Sequence, residues 1–338
     1  MENNFWNNLP KPFFALAPLA NVTDAAFRRI IAKYGKPDIM WTEFVSADGL
    51  MSPGRDMLLK DLIFTEAERP IVAQLFTAHP DKMRLATKLV AELGFDGIDI
   101  NMGCPDRAVE KQGAGAALIK TPALAKEVIR AAKEGIKLAG REIPVSVKTR
   151  VGYKKREIDR WIPALLEEDI AALTIHARTR EEMSKVPARW EDVRQVVELR
   201  DSLGKTTLII GNGDVKDLVE AQQRVSETGA DGIMLGRAIF GNPWLFANLI
   251  RARRGNQIEH PEQSEGRMLS IKERLEVMVE HTKLFEELFS GVKSFSVMKK
   301  HYKAYADGFP GAKDLRARLM ETKNASEVIE IVNDFLSS

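Results

Sequence analysis

The sequence predicts an α/β protein, a (β/α)8 TIM barrel followed by a small C-terminal all-α domain, on three observations. Eight short apolar segments alternate with helical patterns between residues 13 and 235. Polar residues or glycines close those segments. After Trp244 the alternation stops and every later pattern is helical. Parallel strands need helical crossovers, and eight such units favour a closed barrel over an open sheet. A chain of 338 residues has room for one core of roughly 250 residues and an appendage. Residues 1–250 are therefore read as the barrel and 251–338 as linker and helical domain.

Taken in order, residues 1–11 are polar and read as irregular, and FFALAPLA at 13–20 as the first strand, ended by Pro18. Thr23 or Asp24 can cap a helix over 25–33, where Phe27, Ile30 and Ile31 share a face. Further strands are expected at 39–44, 71–76, 97–101, 145–149, 173–176, 208–211 and 232–235, with helices at 81–93, 123–139, 190–200 and 216–227. The connection 45–69 contains Ser52, Pro53 and Gly54 and is expected to wander. Residues 251–266, rich in Arg, Gly, Asn, Gln, Pro and Glu, read as a linker. Residues 271–289, 295–306, 312–320 and 326–335 read as helices.

With 44% hydrophobic and 29% charged residues, the chain has the makeup of a folded globular protein and not of a disordered one. Fifty basic against 48 acidic residues leave a formal charge of +2, so any polyanion-binding surface must be local. Such an excess exists at residues 291–318, which hold seven Lys or Arg and two acidic residues. On counts alone that run reads as a solvated helix face. A single cysteine excludes a disulfide framework and a cysteine-rich zinc site and fits a reducing compartment. The apolar run at 13–20 is too short to span a membrane. The expectation is a cytoplasmic protein, with nothing pointing to a membrane, a metal or a protein partner.

The lone cysteine, Cys104, lies in GFDGIDINMGCPDRAVEKQGAGAALIK, where a short strand ends in polar residues and Gly103 and Pro105 bend the chain around the thiol. Gly113 and Gly115 mark a loop where backbone could approach a ligand closely. In a (β/α)8 barrel the strand C-termini share one rim. Pro18, Leu19, Ala20, Gln74, Asn101, Lys148, His176, Asn212, Gly213, Asp214, Gly236 and Arg237 should therefore converge although they are distant in sequence. Gly211, Gly213 and Gly236 follow the seventh and eighth strands, where amides in such barrels hold phosphate, and Arg237 adds a guanidinium. A phosphate-bearing cofactor is implied. Lys148 either snorkels to the rim or faces inward to meet an anion. His176 can be a hydrogen-bonded core residue or a site residue.

The segment from Gly94 to Lys120 resembles the core signature of the dihydrouridine synthases, flavin enzymes that reduce particular uridines in transfer RNA (tRNA). The likeness extends through APLANVTDAAFRR, VSVKTRVG, IHARTR, GNGDV and GIMLGRA to MKKHYKAYADGFPGAKDLRARL, with Ala304 where relatives often carry tryptophan. The resemblance implies FMN as cofactor and NADPH, or NADH, as its reductant, with hydride then passed to C6 of a uracil extruded from the RNA. It also implies contacts to the flavin from Lys148, His176 and Gln74, recognition of the uracil edge by Asn101, and tRNA binding by the helical domain. Arg178, Arg180, Lys299 and Lys300 are then candidate RNA contacts. Hydride at C6 leaves negative charge that C5 must quench with a proton. A thiol of pKa about 8.5 is an apt donor, and Cys104 is the candidate. Two alternatives stay open: a flavin barrel acting on a free pyrimidine, which needs no basic helical segment, and a non-catalytic RNA-binding barrel, which needs no strand-end residues.

Overall fold

A computed structural model describes residues 4–247, 249 and 270–337 of the chain. Eight parallel strands form one sheet: β1 (Phe13–Leu16), β2 (Met40–Ser46), β3 (Ile71–Phe76), β4 (Gly97–Met102), β5 (Val145–Arg150), β6 (Ala172–His176), β7 (Leu208–Asn212) and β8 (Gly232–Leu235). Each pairs with its sequence neighbour from β2 to β8, and β8 pairs with β1. A bridge from Ala15 to Ile39, just ahead of β2, closes the ring.

Alternation explains both faces of these strands. The outward residues, such as Phe14, Leu16, Ile98, Ile100, Val147 and Ile175, join the helices in the large core. Those helices are α1 (Ala25–Tyr34), α2 (Pro80–Glu92), α3 (Pro122–Leu138), α4 (Ile158–Leu166), α5 (Trp190–Ser202) and α6 (Leu218–Thr228). The inward residues change character along the barrel axis. Phe13, Ala15, Trp41, Val72, Ala172, Ile210 and Met234 form an apolar lower layer. Nearer the strand C-termini the inward positions carry Gln74, Asp99, Lys148, His176 and Asn212.

Three sequence expectations need correction. Residues 1–11 are not uniformly irregular: Phe5–Asn8 forms a 3-10 turn, and Trp6, 2% exposed, packs on Phe13 and Trp41 to plug the barrel floor. The first strand stops at Leu16, so Pro18, Leu19 and Ala20 belong to the loop that follows. The helix expected at 295–306 is a 3-10 turn, Phe295–Val297, leading into α8 (Met298–Tyr305). The wandering connection after β2 is present as the short helices Ala47–Leu50 and Arg55–Leu59 with 3-10 turns. The expected linker at 251–266 lies outside the described residues.

The remaining C-terminal helices are α7 (Ile271–Phe289), α9 (Ala312–Glu321) and α10 (Ala325–Ser337). Ser270 and Glu273 start α7 with a reciprocal capping box. Helix α7 lies on α1: Glu280 meets Lys33 at 2.7 Å and the Tyr34 hydroxyl at 2.6 Å. His281 stacks on Phe27 with ring centres 4.9 Å apart, and His301 of α8 packs edge-on to the same ring. Both histidines are fully buried and their ring nitrogens have no hydrogen-bond partner among the described residues. The C-terminal helices therefore share one apolar core with the barrel. Among the described residues no helix is long and apolar enough to cross a membrane.

Candidate active site

Strand register assembles the site. Asn101 lies beside Lys148 across β4 and β5, and Arg150, His176 and Asn212 lie abreast across β5, β6 and β7. These positions open into a cavity of about 890 Å³ at the C-terminal end of the barrel. Of the residues named from sequence, Pro18, Leu19, Ala20, Asn101, Cys104, Lys148, His176, Arg178, Asn212, Gly213, Asp214, Gly236 and Arg237 line it. Gln74, Arg180, Lys299 and Lys300 do not.

Beneath the cavity runs a hydrogen-bonded chain that ends at the thiol-bearing loop. Asp99, fully buried, accepts from Ser146 Oγ and from Gln74 Nε2, each at 2.6 Å. Gln74 Oε1 then faces Asn101 and accepts from its Nδ2 at 3.0 Å. Asn101 Oδ1 is left to accept the backbone N–H groups of Gly103 at 3.1 Å and Cys104 at 2.8 Å. Gln74, expected at the cofactor, thus sits one layer lower and sets the orientation of the Asn101 amide. Burial pushes the Asp99 carboxyl up to about 6, against the hydrogen bonds from Ser146 and Gln74.

Cys104 is half-buried on the cavity wall. Burial raises its thiol pKa above the ordinary value. The Asp106 backbone, Arg150 and Lys148 pull the other way without reversing the shift. The group is a thiol, not a thiolate, at neutral pH. Gly115, expected to approach a ligand, instead approaches this loop: at its φ of +60° an added Cβ would stand 2.8 Å from the Cys104 carbonyl oxygen. Gly211, expected beside a phosphate, is not among the residues that line the cavity. It lies within β7, where an added Cβ would meet the Trp190 ring at 2.4 Å.

Cations dominate the cavity. Lys148, Arg150, Arg178, Lys216 and Arg237 line it against two carboxylates, Asp106 and Asp214. Lys148 Nζ donates to Asn212 Oδ1 at 3.2 Å, and burial, with Arg150 nearby, lowers its pKa to about 8. His176 is held well below its usual value by burial and by Arg150, Lys148, Arg178 and Arg237 around it. Its Nε2 lies 3.2 Å from Arg178 Nη1, a donor, so the neutral ring carries its proton on Nδ1. Asp214 holds two guanidiniums, Arg178 through Oδ2 and Arg237 through Oδ1 at 2.7 Å. Arg237 is 68% exposed and turned to the opening.

Arg150 was not singled out from sequence. It donates to the Gly103 carbonyl at 2.8 Å and to those of Thr179 and Met183 at 3.1 and 3.2 Å, tying the Cys104 loop to the loop after β6. The signal was available, since Arg150 follows Lys148 by two residues on the same strand face. Arg180, by contrast, pairs with Glu110 and lies over the Tyr153 ring. Lys300 is exposed and Lys299 half-buried on α8, and neither is engaged by a carboxylate within the described residues.

The family model described as dihydrouridine synthase (Dus) matches residues 15–338. A probable tRNA-dihydrouridine synthase 2 of Bacillus subtilis (strain 168) is 40% identical over 338 residues, 99% of this chain and 97% of its own. A probable tRNA-dihydrouridine synthase of Staphylococcus aureus (strain MRSA252) is 38% identical over 340 residues, 99% of this chain and 96% of its own. Among solved structures, histamine dehydrogenase from Rhizobium sp. 4-9 shares the fold, with a TM-score of 0.53 and 13% identity over 81% of this chain and 49% of that one.

Proposed function

From the premise that the chain belongs to the dihydrouridine synthase family, we propose that it reduces uridines in tRNA to 5,6-dihydrouridine in the cytoplasm. The observation that carries this reading is a half-buried, protonated thiol on the wall of a cation-rich barrel mouth.

The donor set suits FMN. Five cations against two carboxylates favour a phosphate and an anionic ring. Gly213 and Gly236 both line the cavity: an added Cβ at Gly213, whose φ is +138°, would stand 2.7 Å from the Ala188 Cβ, whereas one at Gly236 would meet nothing nearer than 3.6 Å. Arg237, with the backbone around Gly213 and Gly236, would hold the phosphate, and Pro18, Leu19, Ala20, Lys148 and His176 the ring. The chemistry FMN supplies when bound is hydride transfer, from NADPH or NADH to C6 of a uracil ring.

The rest of the work falls to side chains. Cys104 donates a proton from Sγ to C5 and completes the saturated ring. The Asp99, Gln74 and Asn101 chain holds the Cys104 backbone, and Arg150 braces the same loop from the Gly103 carbonyl. The second N–H of the Asn101 amide is free of Gln74 and remains for a uracil oxygen. A paired and stacked uracil cannot enter a barrel mouth, so the base is flipped in. The C-terminal helices, with Lys299 and Lys300 on α8, grip the RNA backbone outside. Purified protein given FMN, NADPH and an unmodified tRNA transcript is expected to form dihydrouridine; product absent under saturating reductant would overturn the proposal.

A further inference from the structure

One cation of the basic C-terminal run does not face solvent. Lys293, just past α7, reaches the barrel and places Nζ 2.6 Å from Glu43 Oε2 and 2.7 Å from Asp61 Oδ1. Its side chain is 13% exposed and that of Glu43 8%. The other oxygen of Glu43 accepts the backbone N–H of Asn21. Asn21 sits in the left-handed region at φ 54°, a conformation that asparagine tolerates better than most non-glycine residues, and the Glu43 contact fixes its amide there. The loop so held is the one whose Pro18, Leu19 and Ala20 line the cavity.

We propose, on the reading of the cavity as an FMN site, that Lys293 is a positioning residue for the flavin. Its ion pair with Glu43 couples the seating of the C-terminal helices to the cavity wall after β1. Every charged neighbour fits this role. Asp24, which caps α1 through Phe27 N, and Asp61 stand with Glu43 as three carboxylates around Lys293, and the Arg28 guanidinium is committed to Glu68 at 2.7 Å. Without Lys293, Glu43 would be a buried carboxylate facing Asp24, whose own pKa is already pushed up to about 6 by burial and by Glu43. Glu43 would then be free to move away, and Asn21 would lose its acceptor. The sequence separation of 250 residues makes this a contact between the chain's two parts.

The test is Lys293→Met, read by hydrogen exchange at the Asn21 amide in flavin-free protein and by FMN affinity. Exchange at Asn21 is expected to rise and FMN to bind about tenfold more weakly, with Lys293→Arg restoring both. Native Asn21 protection together with native FMN affinity in the Met variant would overturn the proposal, whatever its effect on tRNA binding. Should that variant not fold, Glu43→Gln, which keeps an acceptor for Asn21 but removes the ion pair, is expected to weaken FMN binding by a smaller factor; unchanged affinity there would also overturn it. Native protein that takes up no FMN would refute the cofactor reading instead, and Asn21 exchange would then decide the coupling on its own.

Discussion

Asn101 Oδ1 accepts the Cys104 backbone N–H at 2.8 Å, so the residue proposed to meet a uracil also holds the residue proposed to protonate it. Only Met102 and Gly103 separate them, and the amide orientation is imposed from below by Gln74 and Asp99. Under the proposed roles, substrate recognition and thiol placement form one hydrogen-bonded unit.

Truncation at this point should damage chemistry more than cofactor binding. Asn101→Ala leaves two backbone N–H groups beside the cavity without their acceptor, at a cost of about 1–3 kcal/mol each if water does not replace it. Uridine reduction is expected to slow at least tenfold while bound flavin is retained, as flavin content and single-turnover rates on the same preparation will show.

Arg237 is the exposed partner of Asp214 and is free to trade that carboxylate for a phosphate. A charge-assisted hydrogen bond contributes about 1.5–3 kcal/mol, so Arg237→Ala is expected to weaken FMN retention roughly ten- to hundredfold. Equilibrium titration of flavin-free protein will measure it, and native affinity would remove Arg237 from the phosphate site.

The basic helical segment is tested by salt. Lys299→Ala combined with Lys300→Ala should lower tRNA affinity and reduce the slope of log affinity against log salt by about 1–2, one increment per lost phosphate contact. The spectrum of bound flavin should not change. An unaltered slope would return α8 to a merely solvated face.

The histidines under the C-terminal helices give a pH signature. Burial lowers the His301 pKa to about 3, below the unfolded value near 6.5. The folded state therefore excludes a proton that the unfolded chain binds. The stability is fully present above pH 6.5 and is lost as pH falls, by about 1.4 kcal/mol per unit until about pH 3. Relative to His301→Phe, the native protein should lose about 2 kcal/mol between pH 7 and pH 5. Denaturant unfolding of both proteins at the two pH values will show whether the difference moves.

How much of this was legible depended on range. The period of two along a strand was enough to bring Lys148, His176 and Asn212 to one rim, because each lies at the C-terminal end of an apolar run. The same period includes Arg150, two residues beyond Lys148 and opposite His176. Gln74 could not be assigned its depth, since its register against Asp99 is set by strand pairing and not by its neighbours in sequence. Nothing in a polar N-terminus announces that Trp6 fills the barrel floor. Lys293 looked like one more surface cation because its partner, Glu43, is remote in the chain. Gly115 was expected to let backbone approach a ligand, but what lies against it is the Cys104 carbonyl, a contact that chain neighbours do not announce.

The central claim is that Cys104 supplies the proton to C5. Burial keeps its thiol protonated, so the uridine half-reaction should be flat through neutral pH and slow only as pH rises past the raised thiol pKa. Reduction of bound flavin by NADPH needs no such proton. The decisive measurement is rapid-mixing reoxidation of the reduced flavin by tRNA in Cys104→Ala. Flavin content and reduction by NADPH are expected to stay native, and reoxidation by tRNA to slow by about 10²–10⁴, the usual worth of a general acid. Reoxidation at the native rate with a normal yield of dihydrouridine would contradict the claim.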